Sequence, residues 1–305
     1  MLLSPTGPPL SRPILPLHLS TSRGRPKAML RSCGLETEDL SWNDSAWMTT
    51  RYRMRFKSTP GQRLYYSWSP DGRNVATHIG AERLESARIE EAGGGSLGVE
   101  PGMFQAPRWT DRGIFAVEQG LRDQRLVVIT PDGASTAVAT LPGPTTFVAT
   151  DAGDKVAVQS VAAGVNGLSA SLQSLPNISA NRLVVVNLDE EQQTPITDDP
   201  VLAYFWSPTG DRLLILDVVE GPLARWSVWS EGDIEEIVRF DPEPSFMTQM
   251  VPFFDQYAQS LSLWAPDGSE FVFPGTVDGE RGIWVADLEG GIKRVGFGTW
   301  VSWSP

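Results

Sequence analysis

Six residues, Gly93 to Gly98 (GGGSLG), come nearest to a catalytic signature in this chain. Ser96 sits at the centre of a G-x-S-x-G match, which in a hydrolase lifts the serine onto a sharp turn between a strand and a helix. The same stretch satisfies G-x-G-x-x-G, which cradles a pyrophosphate only inside a strand–helix–strand unit. Neither setting flanks it, so the stretch reads as a loop between strands. Histidine is scarce: His18 lies among prolines and His78 follows a short β-prone run. With these two histidines and the single Cys33, neither a His-rich nor a Cys-rich zinc site can be assembled. A Ser–His–Asp triad would have to use His78, and an ordinary exposed or capped strand-end histidine is the simpler reading. Cys33 has no disulfide partner within the chain and reads as a bland thiol.

Oxygen-rich stretches are the next candidates. Asn187–Gln193 (NLDEEQQ) and Thr197–Pro200 (TDDP) carry several carboxylates, but not at EF-hand spacing. They fall where turns are expected and read as solvated turns. No metal and no cofactor is expected, and no catalytic residue is assigned. Of the tryptophans outside the recurring turn described next, Trp226 and Trp229 are the two of interest as a binding platform.

The elements that must carry such residues announce themselves by repetition. A Trp-small-Pro-Asp-Gly unit appears as WSPDG (Trp68, Pro70, Gly72), WTDRG (from Trp109), WSPTG (Trp206, Pro208, Gly210) and WAPDG (Trp264, Pro266, Gly268). A worn copy, ATDAG, begins at Ala149, and WSP at Trp303 closes the chain. The first positions lie 41, 40, 57, 58 and 39 residues apart. The short spacings match one four-stranded propeller blade, roughly 40–45 residues, and the long ones a blade with an insertion. Each residue has a mechanical role. The Trp fills space between sheets, Pro presets φ at the second position of a tight turn, and Asp and Gly suit its later positions. Short β-prone runs follow the turns: NVAT, IFAV, KVAV, LLIL and FVF. The expected fold is all-β: a β-propeller of four-stranded antiparallel blades. Six blades are favoured, the last closed by strands from the N-terminal side; seven, with a degraded first one, is the alternative.

The WSPDG unit, the VA pair that follows it and the run RGIWVADLEGG resemble the TolB-type β-propeller repeat, also found in the propellers of prolyl-oligopeptidase-like enzymes. The resemblance covers about residues 61–305. It implies a propeller, and it leaves function open among binding, assembly and substrate gating.

Composition narrows the partners. Residues 1–60 hold 9 Lys+Arg against 4 Asp+Glu, leaving 16 against 33 for the remainder. So acidic a body repels phosphate backbones, which argues against nucleic acid. No apolar run approaches the roughly 20 residues of a membrane-spanning helix. Pro5, Pro8, Pro9, Pro13 and Pro16 interrupt the start, and it lacks the continuous apolar core of a secretory signal. The expected organisation is an irregular leader over 1–44 and a propeller over 45–305, monomeric and cytoplasmic by default.

The two insertions carry the functional expectation. One spans about Ser160–Ala180, between the second and third strands of its blade. The other spans about Asp241–Ser260, after the outer strand of the Trp206 blade. Strand alternation puts both on one face of the disc, and long loops on rigid scaffolds are where binding resides. The second holds Phe246, Met247, Met250, Phe253, Phe254 and Tyr257, a composition suited to a protein or peptide interface. Plugging the central channel is the competing role for these side chains. The expected function is a non-catalytic scaffold that binds a protein or peptide. A propeller of the prolyl-oligopeptidase type lacking its catalytic domain is the alternative. A lyase or lactonase would need a metal or histidine cluster at the channel mouth, which two histidines do not supply.

Overall fold

The recurring turn is a hydrogen-bonded clip, visible atom by atom in the computed structural model. At the first copy the Ser69 N–H donates to Asn74 O (2.9 Å), and Gly72 N–H donates back to Ser69 O (2.8 Å). The Ser69 hydroxyl donates to Asp71 Oδ1 (2.6 Å) and accepts the Asn74 N–H (2.9 Å). Ser207 repeats the pattern with Asp211 (2.8 Å) and Arg212 (3.1 Å). In these two copies the small residue after the Trp is a serine, and its hydroxyl staples the two strands the turn joins. The glycine is demanded twice over. Gly210 has φ 69°, and a Cβ there would stand 2.9 Å from Thr150 Cγ2 of the preceding blade.

The structure describes residues 64–303, except 81–82, 89–94, 122, 131, 162–181, 200, 220 and 257–260, and the backbone of four strands nearer the N terminus. Three sheets are four-stranded, antiparallel and built in simple sequence order, and the first four strands of a seven-stranded sheet repeat that arrangement, which makes all four propeller blades. The first runs Leu64–Trp68, Asn74–Ile79, Arg83–Arg88, Gly95–Ser96. The second runs Arg108–Trp109, Ile114–Gln119, Gln124–Ile129, Ser135–Leu141. The third runs Thr145–Ala149, Lys155–Ser160, Leu183–Asn187, Gln192–Thr197. The fourth runs Val201–Trp206, Arg212–Val218, Ala224–Ser230, Asp233–Pro242.

Adjacent blades are stitched at equivalent positions. The Trp206 indole donates to Val148 O of the blade before it (2.8 Å), and the Trp264 indole donates to Phe205 O (3.0 Å). Lys155 Nζ reaches forward to Gly210 O (3.0 Å), and Arg212 to Gly268 O (3.3 Å). Between the sheets lies an apolar core in which Trp226, Trp264, Phe271 and Phe273 are fully buried. Trp226 is therefore core rather than platform, and Trp229 packs edge-on against Trp206 at 6.3 Å.

The fifth blade departs from the pattern. Its second, third and fourth strands are Glu270–Val277, Glu280–Asp287 and Ile292–Gly296. Its innermost position is filled in two instalments. Asp241 and Pro242, the end of the fourth blade's outer strand, pair with Thr276 and Gly275. Leu263 and Trp264 then take the remaining places: Val272 N–H donates to Leu263 O (2.9 Å), and Trp264 bridges Phe271. The second insertion follows the fourth blade's outer strand, as its sequence position suggests. Because the last two residues of that strand already pair along the fifth blade, it also interrupts the fifth blade's innermost strand. Most of the first insertion, 162–181, lies outside the described residues.

At the end of the ring, Val301–Trp303 bridges Ser262 and pairs with Leu17–Leu19. The latter pairing is parallel, unlike every other strand pair among the described residues. Arg31–Glu36, Asp39–Asp44 and Arg53–Met54 form a separate three-stranded sheet.

Candidate functional site: the central channel and its plug

The insertion leaves the fifth blade at Glu243. Its carboxylate is almost fully buried and accepts two hydrogen bonds from Arg281 (2.8 and 2.6 Å), whose own side chain is largely exposed. Pro244, compatible with a first helical turn because it needs no N–H partner, opens the short helix Pro244–Gln249. A single 3-10 turn, Val251–Phe253, follows. Phe246, Met250, Val251 and Phe254 face inward and join the main core. Phe246 lies 6.3 Å from the Trp226 ring; Phe254 meets Tyr204 edge-on at 4.8 Å and Phe205 at 5.9 Å. Burial of such side chains stabilises the fold by roughly 1.5–3 kcal/mol each.

This burial redistributes the residues expected to bind. Phe246 and Met250 hold the insertion down and have no surface to offer. Met247 and Phe253 are half-buried, and Tyr257 lies outside the described residues. Phe254 alone combines core packing with a place on a cavity wall.

Beyond the 3-10 turn the insertion crosses to the first two blades. Gln105, in the crossover that enters the second blade, donates from Nε2 to Asp255 Oδ2 at 2.7 Å. The Gln105 carbonyl lies 2.8 Å from His78 Nδ1, which fixes the imidazole as the Nδ1–H tautomer. Tyr65 donates its hydroxyl proton to Gln256 Oε1 at 2.5 Å and stacks on Phe104 at 4.5 Å. Phe104 meets His78 edge-on at 4.9 Å. His78 is thus the capped strand-end histidine the sequence suggested, but buried rather than exposed. Burial pushes its pKa down, against the weaker pull of the Gln105 carbonyl, and keeps the ring neutral. Burial likewise pushes Asp255 up to about 6, with the Gln105 hydrogen bond acting in the opposite sense. The insertion is a plug, rooted in the fifth blade and fastened to the first and second. Gln105, Asp255 and Tyr65 were not singled out in the sequence. An acid directly after two phenylalanines, as in VPFFD, was the available signal.

Below the plug lies a cavity of about 410 Å³. Its walls come from the inner-strand ends and turns of the second to fifth blades and from Trp303. Phe205, Trp206, Trp264 and Trp303 supply aromatic surface, and Phe254 of the plug contributes to the lining. Arg108 and Asp151, also in the wall, are paired at 2.5 Å, with the aspartate mostly in solvent. Two donors of these lining residues, Trp303 Nε1 and Arg108 Nε, are shielded from the cavity and have no hydrogen-bond partner among the described residues.

The weaker sequence motifs fall elsewhere. Ser96 is exposed on the outermost strand of the first blade, its hydroxyl accepting the Gly98 N–H at 3.2 Å. The acidic stretches are turns, with Asn187 Oδ1 accepting the N–H groups of Asp189 (3.0 Å) and Glu190 (3.2 Å). Among the described residues no three His, Cys, Asp or Glu side chains form a group that could hold a metal. No helix among them is long and apolar enough to cross a membrane.

No family model matches the chain, and no curated protein matches it in sequence. Solved structures do. Oligogalacturonate lyase from Vibrio parahaemolyticus superposes with a TM-score of 0.52 at 12% identity, over 85% of this chain and 74% of that one. An oligogalacturonate lyase in complex with manganese gives 0.51 at 14% identity, over 86% and 74%. TolB from Acinetobacter baumannii gives 0.48 at 10% identity over 85% of this chain, which spans 60% of the TolB chain. At such identities the likeness speaks to architecture alone, and it agrees with the blades and their stitching: the chain is a β-propeller.

Proposed function

We propose that this propeller is a non-catalytic scaffold that binds a peptide segment of a partner protein in the cavity beneath the plug. The observation that carries the reading is the cavity of about 410 Å³, lined by inner-strand ends of the second to fifth blades, by the Arg108–Asp151 pair and by Phe254 of the plug. That volume lies within the range of about 300–1,000 Å³ typical of small-ligand sites. Tryptophan and arginine are also the residue types that most often dominate protein interfaces. Of the residues expected from sequence to bind, Phe254 keeps that role from within the cavity wall, while Phe246 and Met250 support it from the core.

Photo-crosslinking tests the reading in the native host. A benzoylphenylalanine at Leu261, a half-buried residue of the cavity wall, is expected to capture a protein. The same group at Ile234, exposed at the outer edge of the fourth blade, is expected not to. Equal capture from both positions, or capture from Ile234 alone, rules the cavity out.

A further inference from the structure

The side chains that line the cavity have little left to offer a polar guest. The indoles of Trp206 and Trp264 donate to Val148 O and Phe205 O, and the Trp303 Nε1–H is shielded from the cavity. The Ser207 hydroxyl donates to Asp211 and the Ser262 hydroxyl to Trp264 O, both at 2.8 Å. What remains is hydrocarbon and aromatic surface, with the Arg108–Asp151 pair as the charged part of the wall. A polar group driven into such a space gives up water and finds few side-chain partners. An apolar group gains by leaving water.

The face on which the cavity lies is acidic. Antiparallel strands alternate direction, so turns joining first to second and third to fourth strands emerge on the same face. In the third to fifth blades these turns span 150–154, 188–191, 207–211, 231–232, 265–269 and 288–291. Every one holds Asp or Glu, and none holds Lys or Arg. Lys155 and Arg212, which follow two of them, and Arg108 and Arg112 of the second blade offset part of that charge. The cavity wall reaches three of the turns, at Asp151, Pro208 and Pro266, and the Asp151 side chain is 75% exposed. On the opposite face Asp198 is paired with Arg182, and Glu243 with Arg281.

From the apolar wall and the charge around it we infer that the cavity takes an apolar side chain from a peptide segment whose flanking residues are Lys or Arg. The inference rests on the peptide-binding reading above and specifies the segment. The anchor side chain packs among Trp206, Trp264 and Phe254. The flanking cations lie over the acidic turns, where their attraction is screened by salt, and an acidic segment meets repulsion instead.

Three peptides test this on the full-length chain: acetyl-Lys-Lys-Phe-Lys-Lys-amide, its Glu-Glu-Phe-Glu-Glu counterpart, and Lys-Lys-Ser-Lys-Lys. Affinity is read by titration calorimetry at low and at high salt. At low salt the first is expected to bind at least about tenfold more tightly than either of the others, as burial of one large apolar side chain and an opposite charge field allow. High salt should remove much of its advantage over the Glu peptide. Leu261→Trp, which fills the cavity from its wall, should bring the Phe peptide down to the level of the Ser one. Asp151→Asn/Asp267→Asn keeps the acceptor oxygens of both turns and should weaken the Lys peptides alone. If the Ser peptide binds as tightly as the Phe peptide, the attraction is diffuse charge and the inference is overturned. Equal or tighter binding of the Glu peptide, lost in Leu261→Trp, overturns the charge assignment and leaves peptide binding standing. If no peptide binds, the inference fails, and the peptide-binding reading is then decided by the Leu261 crosslink alone.

Discussion

Asp255 is an acid buried within the plug. Burial there raises its carboxyl from 3.8 to about 6. The sign of its effect follows from linkage. Below pH 4 the group is protonated in folded and unfolded chains alike and contributes nothing. Between pH 4 and 6 the unfolded chain releases its proton first, so stability falls as pH rises. Above pH 6 the loss is complete, at roughly 3 kcal/mol. Asp255→Asn keeps an oxygen to accept from Gln105 and has nothing to ionise. Urea unfolding at pH 4 should find parent and variant alike, while at pH 7.5 the variant should be the more stable. The turn carboxylates Asp71 and Asp267, lowered chiefly by the hydroxyls of Ser69 and Ser269, act in the opposite sense in both proteins and cancel in the comparison. A difference between the two proteins that does not change with pH would place the titration elsewhere.

At the scale of the element, the turn is the unit the sequence shows most openly. Trp, Ser, Pro, Asp and Gly each answer a separate local demand, so the pattern survives wherever those demands recur, even at the worn copy beginning at Ala149. Gly210 meets two demands at once, and Gly221 only one: its φ is 62°, with nothing within 4 Å of an added Cβ. Gly210→Ala should therefore cost about 1–3 kcal/mol more than Gly221→Ala, a difference thermal unfolding of the two variants can read. Equal losses would mean that contact with Thr150 is relieved by a small shift. The plug was legible only in part. Spacing disclosed an insertion and composition its apolar character. Neither could show that Asp241 and Pro242 would dock against Thr276 and Gly275 before the chain departs, because two residues are too few to carry a period. Nor does a run of Phe and Met distinguish a surface awaiting a partner from one folded onto its own core. Only the path of the chain decides that.

For the whole molecule, the plug is a long-range tie. Its core side chains lie among the fourth and fifth blades, and its polar end reaches the first and second. Phe246→Ala, which empties a fully buried site, should cost about 3–5 kcal/mol. It should also quicken amide exchange beyond the insertion, in the strands Ala224–Ser230 and Glu270–Val277 that pack around Trp226. Faster exchange confined to 243–256 would show the plug to be energetically separate from the ring.

The broken inner strand has a consequence for what this scaffold can become. The chain departs opposite Gly275 and resumes opposite Val272, three positions along one strand and so roughly 10 Å apart. Both anchors are fixed by pairing with Glu270–Val277, independently of what lies between them. The segment is in effect a cassette with fixed ends: a replacement that still sends apolar side chains into the core where Phe246, Met250 and Phe254 do would reshape the cavity without moving either anchor.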